Sequence, residues 1–178
     1  MDARIQNFDG VYEPREDSQL LAELVGERAF GEVLDLGTGS GIQGITAALR
    51  GCRVTFSDIS ERAIEAAKRN AELNEVDGQF IVSDMFAGIG GDFDTIIFNP
   101  PYLPDEGGAD AALDGGPDGR AVIDRFIGEY RRHLREGGIA LLLESSLDRY
   151  GQDIERQGAE LVGKRHYFFE DLAVLMLR

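Results

Sequence analysis

The stretch Glu32-Val33-Leu34-Asp35-Leu36-Gly37-Thr38-Gly39-Ser40-Gly41 decides the fold. Its first five residues form the apolar run of a buried strand, and a glycine-rich turn follows directly. Glycine adopts backbone angles that other residues avoid, so the turn is tight and a ligand can approach its backbone closely. A helical pattern comes next, at 42–50. Strand, glycine turn and helix in this order predict a Rossmann-like α/β fold.

Outside this stretch, apolar runs alternate with helical patterns, as in a parallel sheet covered by helices. The predicted strands are 32–36, 53–57, 79–82, 93–98, 139–143, 161–169 and 172–177. Four other helices are predicted. One begins near Asp17 and Ser18, a second begins after the cap residue Ser60, and a third spans 147–157. The fourth carries a buried stripe of Val122, Ile123, Phe126, Ile127, Tyr130 and Leu134. A long loop is expected at 103–119. The prediction is one domain over 1–178, with a seven-stranded, mostly parallel sheet and an antiparallel C-terminal strand pair.

The composition indicates a folded chain with an acidic surface. The 178 residues are 43% apolar and carry a formal net charge of -15. Only Lys68 and Lys164 are lysines among the 18 basic residues. The acidic residues fit either a docking surface for a basic partner or adaptation to high salt, and their even spread along the chain favours salt adaptation. A surface of this charge repels nucleic acid, so a nucleic-acid substrate is not expected.

Several classes of protein do not fit the sequence. No apolar run reaches the roughly 18 residues that a membrane-spanning helix needs, and no leader peptide is visible, so a cytoplasmic protein is expected. The single Cys52 provides neither an internal disulfide nor a cysteine-based metal site, and no metal is expected.

Acidic residues follow three successive predicted strands. Asp35, Asp58 and Asp84 each lie where a strand ends, at the edge of the sheet where ligands bind. Gly39, Gly41 and Gly44 also match a dinucleotide fingerprint, but that motif alone is weak and needs a pyrophosphate at the helix N-terminus. Three acids favour a cationic cofactor without phosphate, namely S-adenosylmethionine. Asp58 suits the ribose hydroxyls, Asp84 the adenine amino group, and Met85 and Phe86 the adenine ring. In the alternative interpretation, the acids only cap helices.

The motif Asn99-Pro100-Pro101-Tyr102 ends the fourth predicted strand. The two prolines stiffen the backbone and remove two N–H donors, so the Pro100 carbonyl is held rigidly. The Asn99 amide oxygen and this carbonyl can each accept one hydrogen of a planar NH₂ group and direct its lone pair towards a methyl donor. Tyr102 offers a flat face to that group. The motif therefore predicts methylation of an amide or amine nitrogen; the alternative is a rigid turn without chemistry.

The chain resembles the HemK-type protein methyltransferases, and within them the eukaryotic and archaeal release-factor branch. The resemblance is carried by the N-terminal signature from Val11 to Ser18, the turn from Asp35 to Gly41, the motif from Asn99 to Tyr102, and two segments beginning at Asp114 and Asp124. It implies the class I S-adenosylmethionine-dependent fold. It also implies that the cofactor contacts Ser18, Asp35, Gly37, Thr38, Gly39, Asp58, Ile59, Asp84, Met85 and Asn99. The substrate is then bound by Asn99, Pro100, Pro101 and Tyr102, of which Asn99, Pro100 and Tyr102 are the catalytic residues.

The resemblance also implies a substrate and a partner. The expected substrate is the side-chain amide of the glutamine in the Gly-Gly-Gln motif of a class I translation release factor. The expected partner is a small zinc-binding activator, which forms a heterodimer through the edge strand 79–82 and holds the zinc itself. The acidic composition points to a halophilic archaeon as the source.

Three other functions are considered. An adenine methyltransferase acting on DNA or RNA can use the same acceptor motif, but it must flip a base and grip phosphates. Methylation of a protein lysine is a second alternative. The third is a module that binds the cofactor without catalysis. Glu13 and Asp17 are each assigned either to the substrate or to the cap of the first helix.

Overall fold

The structure is a computed structural model that describes residues 3–101, 120–148, 150–167 and 170–178. Its helices are α1 Glu16–Arg28, α2 Ile42–Leu49, α3 Glu61–Leu73, α4 Ala121–Glu129 and α5 Gly151–Gln157. Its strands are β1 Glu32–Leu36, β2 Arg53–Asp58, β3 Gln79–Val82, β4 Phe93–Phe98, β5 Leu134–Ser145, β6 Glu160–Tyr167 and β7 Glu170–Leu177. Short 3₁₀ turns lie at Tyr130–Arg132 and Ser146–Asp148.

The seven strands form one sheet in the order β3-β2-β1-β4-β5-β7-β6. The strands β1 to β5 pair in parallel, whereas β7 is antiparallel to both β5 and β6. The predicted seven-stranded, mostly parallel sheet with an antiparallel C-terminal pair is confirmed. The strand order reverses between β1 and β4, so their carboxyl ends flank the point where open α/β sheets bind ligands.

The two faces of the sheet bury separate apolar clusters. One cluster packs α1, α2 and α3 against the sheet and includes Leu21, Phe56 and Ile97. The other lies under α4 and includes Phe126 and Tyr130, which are fully buried. Because both faces are covered, the central strands are mainly apolar, and their sequence therefore predicts strands.

The N-terminal segment before α1 is bound to α3 by two buried asparagines. The Asn74 side chain accepts from the Arg4 backbone N–H at 2.8 Å, and the Asn70 side chain accepts from the Gln6 N–H at 2.9 Å. Asn70 also donates to the backbone carbonyl of Ser40 in the glycine turn at 2.9 Å. The segment is therefore attached to the same helix that supports the turn.

Several predicted boundaries differ from the structure. Asp17 and Ser18 do not cap α1: the cap is Arg15, which makes no side-chain cap bond, and both residues lie buried in the first turn. Leu134 belongs to β5 and not to the α4 stripe, because the helix ends at Glu129 and a 3₁₀ turn follows. The cap at Ser60 is confirmed, since its hydroxyl accepts from the Ala63 N–H.

Other differences are small. Helix α2 ends one residue early, β2 extends to Asp58, β5 extends over Leu134–Ser145, and the predicted helix at 147–157 begins only at Gly151. The final strands are Glu160–Tyr167 and Glu170–Leu177. The predicted loop at 103–119 lies outside the described residues. None of the described helices is long and apolar enough to cross a membrane.

Gly44 lies inside α2 and yields the first testable prediction. A Cβ atom there would stand 2.3 Å from the Phe56 ring and 3.0 Å from the Asp35 carboxylate. We expect Gly44→Ala to lower the free energy of unfolding by about 1–3 kcal/mol, because overpacking outweighs the gain in helix propensity. The matched control is Gly128→Ala in α4, where a Cβ meets nothing within 4 Å; it should stabilise the protein by up to about 1 kcal/mol. Chemical denaturation of both variants checks this, and equal effects would contradict it.

Candidate active site

A cavity of about 530 Å³ opens at the carboxyl ends of the parallel strands. Its size lies within the range of small-molecule and cofactor sites, roughly 300–1,000 Å³. The predicted site residues on its wall are Ser18, Gly37, Thr38, Gly39, Asp58, Ile59, Asp84, Met85, Asn99, Pro100 and Pro101. The structure therefore brings together predicted residues from α1, the glycine turn and the ends of β2, β3 and β4. Tyr102 lies outside the described residues.

Asp35, which was predicted to contact the cofactor, does not line this cavity. Its carboxylate is 1% exposed and accepts from the Thr38 hydroxyl at 2.6 Å and the Gly44 N–H at 2.9 Å. Burial raises the pKa of Asp35 to about 7, despite these two hydrogen bonds. Asp35 thus stands behind the glycine turn and ties the turn to the start of α2.

Asp58 both supports the turn and faces the cavity. Its Oδ2 accepts from the Gly39 N–H at 3.0 Å, and its Oδ1 accepts from the Ser60 N–H at 2.9 Å. Burial raises the pKa of this carboxyl above its usual value. Each carboxylate oxygen has a second lone pair, so Asp58 retains capacity to accept from the two hydroxyls of a ribose.

Asp84 lies two residues beyond the end of β3 and forms an ion pair with Arg125 at 2.9 Å. Both side chains are about half exposed and both line the cavity. Met85, with a positive φ of 48°, lies beside Asp84 on the same wall. Phe86 does not: its ring stacks on His133 with centroids 4.6 Å apart, within the apolar cluster under α4. The expectation that Phe86 lines the adenine ring is therefore wrong, because the core buries its side chain.

The Asn99 amide is held at its nitrogen by hydrogen bonds, whereas its oxygen has no partner among the described residues. Its Nδ2 donates to Asp17 Oδ2 at 3.1 Å and to Ser18 Oγ at 3.3 Å. A carboxylate only accepts hydrogen bonds, so this contact determines which end of the amide faces α1. The Asn99 Oδ1 is buried and has no hydrogen-bond partner among the described residues. Asn99 therefore presents an acceptor oxygen that a bound ligand can satisfy.

Asp17 is held by two partners and is not the predicted helix cap; contact with the substrate, its other predicted role, stays a prediction. Its Oδ1 accepts from the Tyr12 hydroxyl at 3.1 Å, while its Oδ2 faces Asn99. Burial, followed by the charge and hydrogen bond of Asp17, raises the pKa of Tyr12. Glu13 also does not cap α1: it is exposed and accepts from the Asn7 side chain. The N-terminal signature thus acts by orienting the acceptor motif.

The wall residues that the sequence interpretation did not assign to the site include Tyr12, Gln43 and Arg125. Tyr12 belongs to the quoted signature, but its hydroxyl partner depends on the path of the N-terminal segment. Gln43 was detectable as a lone polar side chain in the first turn of an otherwise apolar helix. No local signal in the sequence pairs Arg125 with Asp84, since they are 41 residues apart.

The site combines acceptors for a cofactor with an oriented amide. Among the residues that the structure describes, no group of three His, Cys, Asp or Glu side chains is arranged to hold a metal ion. The order of the strands places Asp84, Asp58 and Asn99 along the cavity, at the ends of β3, β2 and β4. Such an arrangement suits an elongated ligand that ends near the Asn99 amide.

The raised pKa of Asp35 predicts a pH dependence of stability. The folded pKa of Asp35, about 7, lies above the ordinary aspartate value of 3.8. Between these two pH values the folded state binds more protons than the unfolded state, so stability falls as the pH rises through this range. We expect the free energy of unfolding, relative to that of Asp35→Asn, to fall by about 2–3 kcal/mol between pH 5 and pH 8. Denaturation of both proteins at the two pH values measures this. A difference independent of pH would show that Asp35 titrates at its ordinary pKa.

Comparison with known proteins identifies the family. The methyltransferase small domain family matches residues 4–157. A protein of Methanocaldococcus jannaschii, provisionally named a protein N5-glutamine methyltransferase, is 42% identical over 144 residues, which are 77% of this chain and 73% of that protein. The release factor glutamine methyltransferase of Deinococcus radiodurans is 40% identical over 124 residues, 63% of this chain and 44% of that protein.

Relatives with other substrates also match. The ribosomal RNA small subunit methyltransferase C of Haemophilus influenzae is 34% identical over 142 residues, which cover 77% of this chain and 40% of that protein. The chain therefore spans less than half the length of this relative and of the Deinococcus one.

Solved structures share the fold. The ribosomal protein L11 methylase of Lactobacillus delbrueckii subsp. bulgaricus has a TM-score of 0.71 and 25% identity, covering 99% of this chain and 85% of that one. The T. thermophilus 16S rRNA N2 G1207 methyltransferase, in complex with AdoMet and guanosine, has a TM-score of 0.70 and 22% identity. The match covers 96% of this chain and 45% of that one. The chain therefore belongs to the methyltransferase small domain family, and it is an enzyme that uses S-adenosylmethionine.

Proposed function

We propose that this enzyme methylates the side-chain amide of the glutamine in the Gly-Gly-Gln motif of a class I translation release factor. The observation that carries the proposal is the buried Oδ1 of Asn99, which has no hydrogen-bond partner in the described part of the chain and belongs to an amide oriented by Asp17 and Ser18. The relatives named as glutamine methyltransferases support the same acceptor.

The acceptor site suits a planar NH₂ group because such a group has two hydrogens to donate. Asn99 Oδ1 accepts one of them, and the Pro100 carbonyl accepts the other. Pro100 and Pro101 bring no N–H that would compete for these acceptors. With both hydrogens held, the lone pair of the nitrogen is directed into the cavity, and positioning of this kind supplies much of the rate of a displacement reaction.

The cofactor residues follow the order of the strands. Asp84 and Met85 hold the adenine, Asp58 the ribose, and the turn from Gly37 to Gly39 lies against the remaining part, with Ile59 beside the adenine ring. Bound S-adenosylmethionine would supply an electrophilic methyl group to the amide nitrogen and would leave as S-adenosylhomocysteine, while the nitrogen would release one proton to water. Asp35 acts through the turn, and Tyr102 packs its ring against the acceptor amide.

A protein substrate fits the charge of the chain better than a nucleic acid does. The net charge of -15 opposes binding to the phosphates of a nucleic acid, which proteins neutralise with Lys and Arg. In the methyl-transfer assay, a DNA or RNA arm tests adenine methylation, and a factor without the glutamine tests lysine methylation. As an enzyme acting on a release factor, the chain would work in the cytoplasm as a single domain over 1–178, with its acidic surface adapted to high salt.

An activator subunit fits the free edge of the sheet. In the described sheet, β3 is hydrogen-bonded on one side only, to β2. Val82 at its end is 51% exposed, and the Phe80 ring lies stacked on Phe56 with centroids 4.7 Å apart. A short, apolar and uncovered edge is suited to strand addition by a partner. We assign this edge to the small zinc-binding activator.

Methyl transfer to a purified archaeal-type release factor tests the function. With tritiated S-adenosylmethionine at high salt, we expect label on the intact factor and none on a factor whose Gly-Gly-Gln glutamine is changed to alanine. Asn99→Ala should reduce transfer by at least about 100-fold, since a transition-state hydrogen-bond partner is lost, while S-adenosylhomocysteine binding by calorimetry changes little. Label that is independent of the glutamine, or that appears instead on a DNA or RNA arm, would refute the proposed substrate.

The activator prediction uses the two opposite edges of the sheet. Val82→Lys on β3 places a charge on the proposed interface and should weaken binding of the activator at least about tenfold, because a charge at the centre of an interface is costly to desolvate. Leu161→Lys on β6, the other edge, is the matched control: Leu161 is 42% exposed. Binding is measured by calorimetry with the zinc-loaded activator. Equal losses in both variants, or no loss in Val82→Lys, would remove β3 from the interface.

A further inference from the structure

Gln43 is a buried polar residue on the cavity wall that no step described above employs. It is the second residue of α2 and is 3% exposed. Its Nε2 donates to the backbone carbonyl of Ser18 at 2.9 Å. Its Oε1 is buried and has no donor within the part of the chain that the structure describes. A buried acceptor without a donor is unfavourable, and in a native protein it calls for a partner such as a ligand.

The position of Gln43 shows which part of a ligand it meets. Asp84 and Asp58 lie at the ends of β3 and β2, on the far side of the glycine turn. The Gln43 side chain donates a hydrogen bond to the Ser18 backbone carbonyl, and the Ser18 hydroxyl accepts one from Asn99. Gln43 therefore belongs to the end of the cavity where methyl transfer takes place. If the adenosine lies against Asp84 and Asp58, this end receives the methionine half of the cofactor.

The chemistry of the methionine half restricts the contact further. An amide oxygen only accepts hydrogen bonds, and in this half of S-adenosylmethionine the α-ammonium group is the strong donor. Asp17 and Asp35 already accept two hydrogen bonds each, and Asp35 lies behind the turn, whereas Gln43 Oε1 has no donor among the described residues and so gains most from the ammonium group. We infer that Gln43 Oε1 accepts a hydrogen bond from the α-ammonium group of the bound cofactor, while Gln43 Nε2 holds the first turn of α1.

This inference rests on the proposed direction of the cofactor in the cavity but not on the identity of the methyl acceptor. A release factor is not needed to test it, because the readout is ligand binding. If the chain methylates a different acceptor, the proposed function fails and the assignment of Gln43 is unaffected.

The experiment compares two ligands by calorimetry: S-adenosylhomocysteine and its deamino analogue, which keeps the carboxylate but lacks the α-ammonium group. Gln43→Met preserves size and removes the acceptor. We expect it to weaken S-adenosylhomocysteine about 10- to 100-fold, as for a lost hydrogen bond to a charged group, and to change the affinity of the deamino analogue less than about twofold. Gln19→Met, on the exposed side of α1, is the matched control and should alter neither affinity.

A second variant separates the two ends of the Gln43 amide. Gln43→Glu keeps an acceptor oxygen but loses the donor to Ser18, so it should bind S-adenosylhomocysteine at least about tenfold more tightly than Gln43→Met does. Thermal unfolding of each variant verifies that it is folded. An equal loss of both ligands in Gln43→Met would mean that the residue acts only through α1, and unchanged affinity for S-adenosylhomocysteine would exclude the contact; either result overturns the inference.

Discussion

The site depends on the contact between the first turn of α1 and the end of β4. Asn99 donates to Asp17 and Ser18, residues 82 and 81 positions earlier in the chain. Asp17 is buried, and its carboxylate needs donors to compensate for the loss of water. Tyr12 and Asn99 provide them. The same hydrogen bonds that satisfy the acid thus fix the Asn99 amide with its Oδ1 turned away from α1, where this oxygen is buried and has no partner among the described residues.

The sheet and the glycine turn place the rest of the cavity around this contact. The reversal of strand order between β1 and β4 leaves a crevice at their carboxyl ends, and the glycine turn forms one wall of it. Two acids stabilise that wall from different sides: Asp35 from behind, through Thr38 and Gly44, and Asp58 from the end of β2, through Gly39. Asn70 joins the turn to α3 and to the N-terminal segment. The segment that carries Tyr12 and the glycine turn on the cavity wall are therefore connected through one buried side chain.

The buried acids also give the cavity its electrostatic character. Burial raises the pKa values of Asp35 and Asp58, because removing a carboxylate from water disfavours its charged form. A ligand that carries positive charge offsets this cost, whereas a phosphate would increase it. The arrangement suits S-adenosylmethionine and explains why Gly39, Gly41 and Gly44 do not form a dinucleotide site. Gly44 lies inside α2 against Phe56, so it serves helix packing and not phosphate contact.

The sequence by itself determined the sheet, the glycine turn and the residues that gather around the cavity. Strands 79–82 and 93–98 were predicted with their observed ends, because each is a short, mainly apolar run between polar or glycine residues. Prediction from the sequence failed where the same local pattern of residues is compatible with two different structures. Leu134 continues the helical spacing of α4 yet begins β5, and Asp17 has the composition of a helix cap yet binds a side chain 82 residues away. Only the tertiary structure decided these partners, because hydrogen bonds between distant segments depend on how the chain packs and leave no periodic pattern in the sequence. The same packing leaves the side-chain oxygens of Asn99 and Gln43 buried without a donor among the described residues.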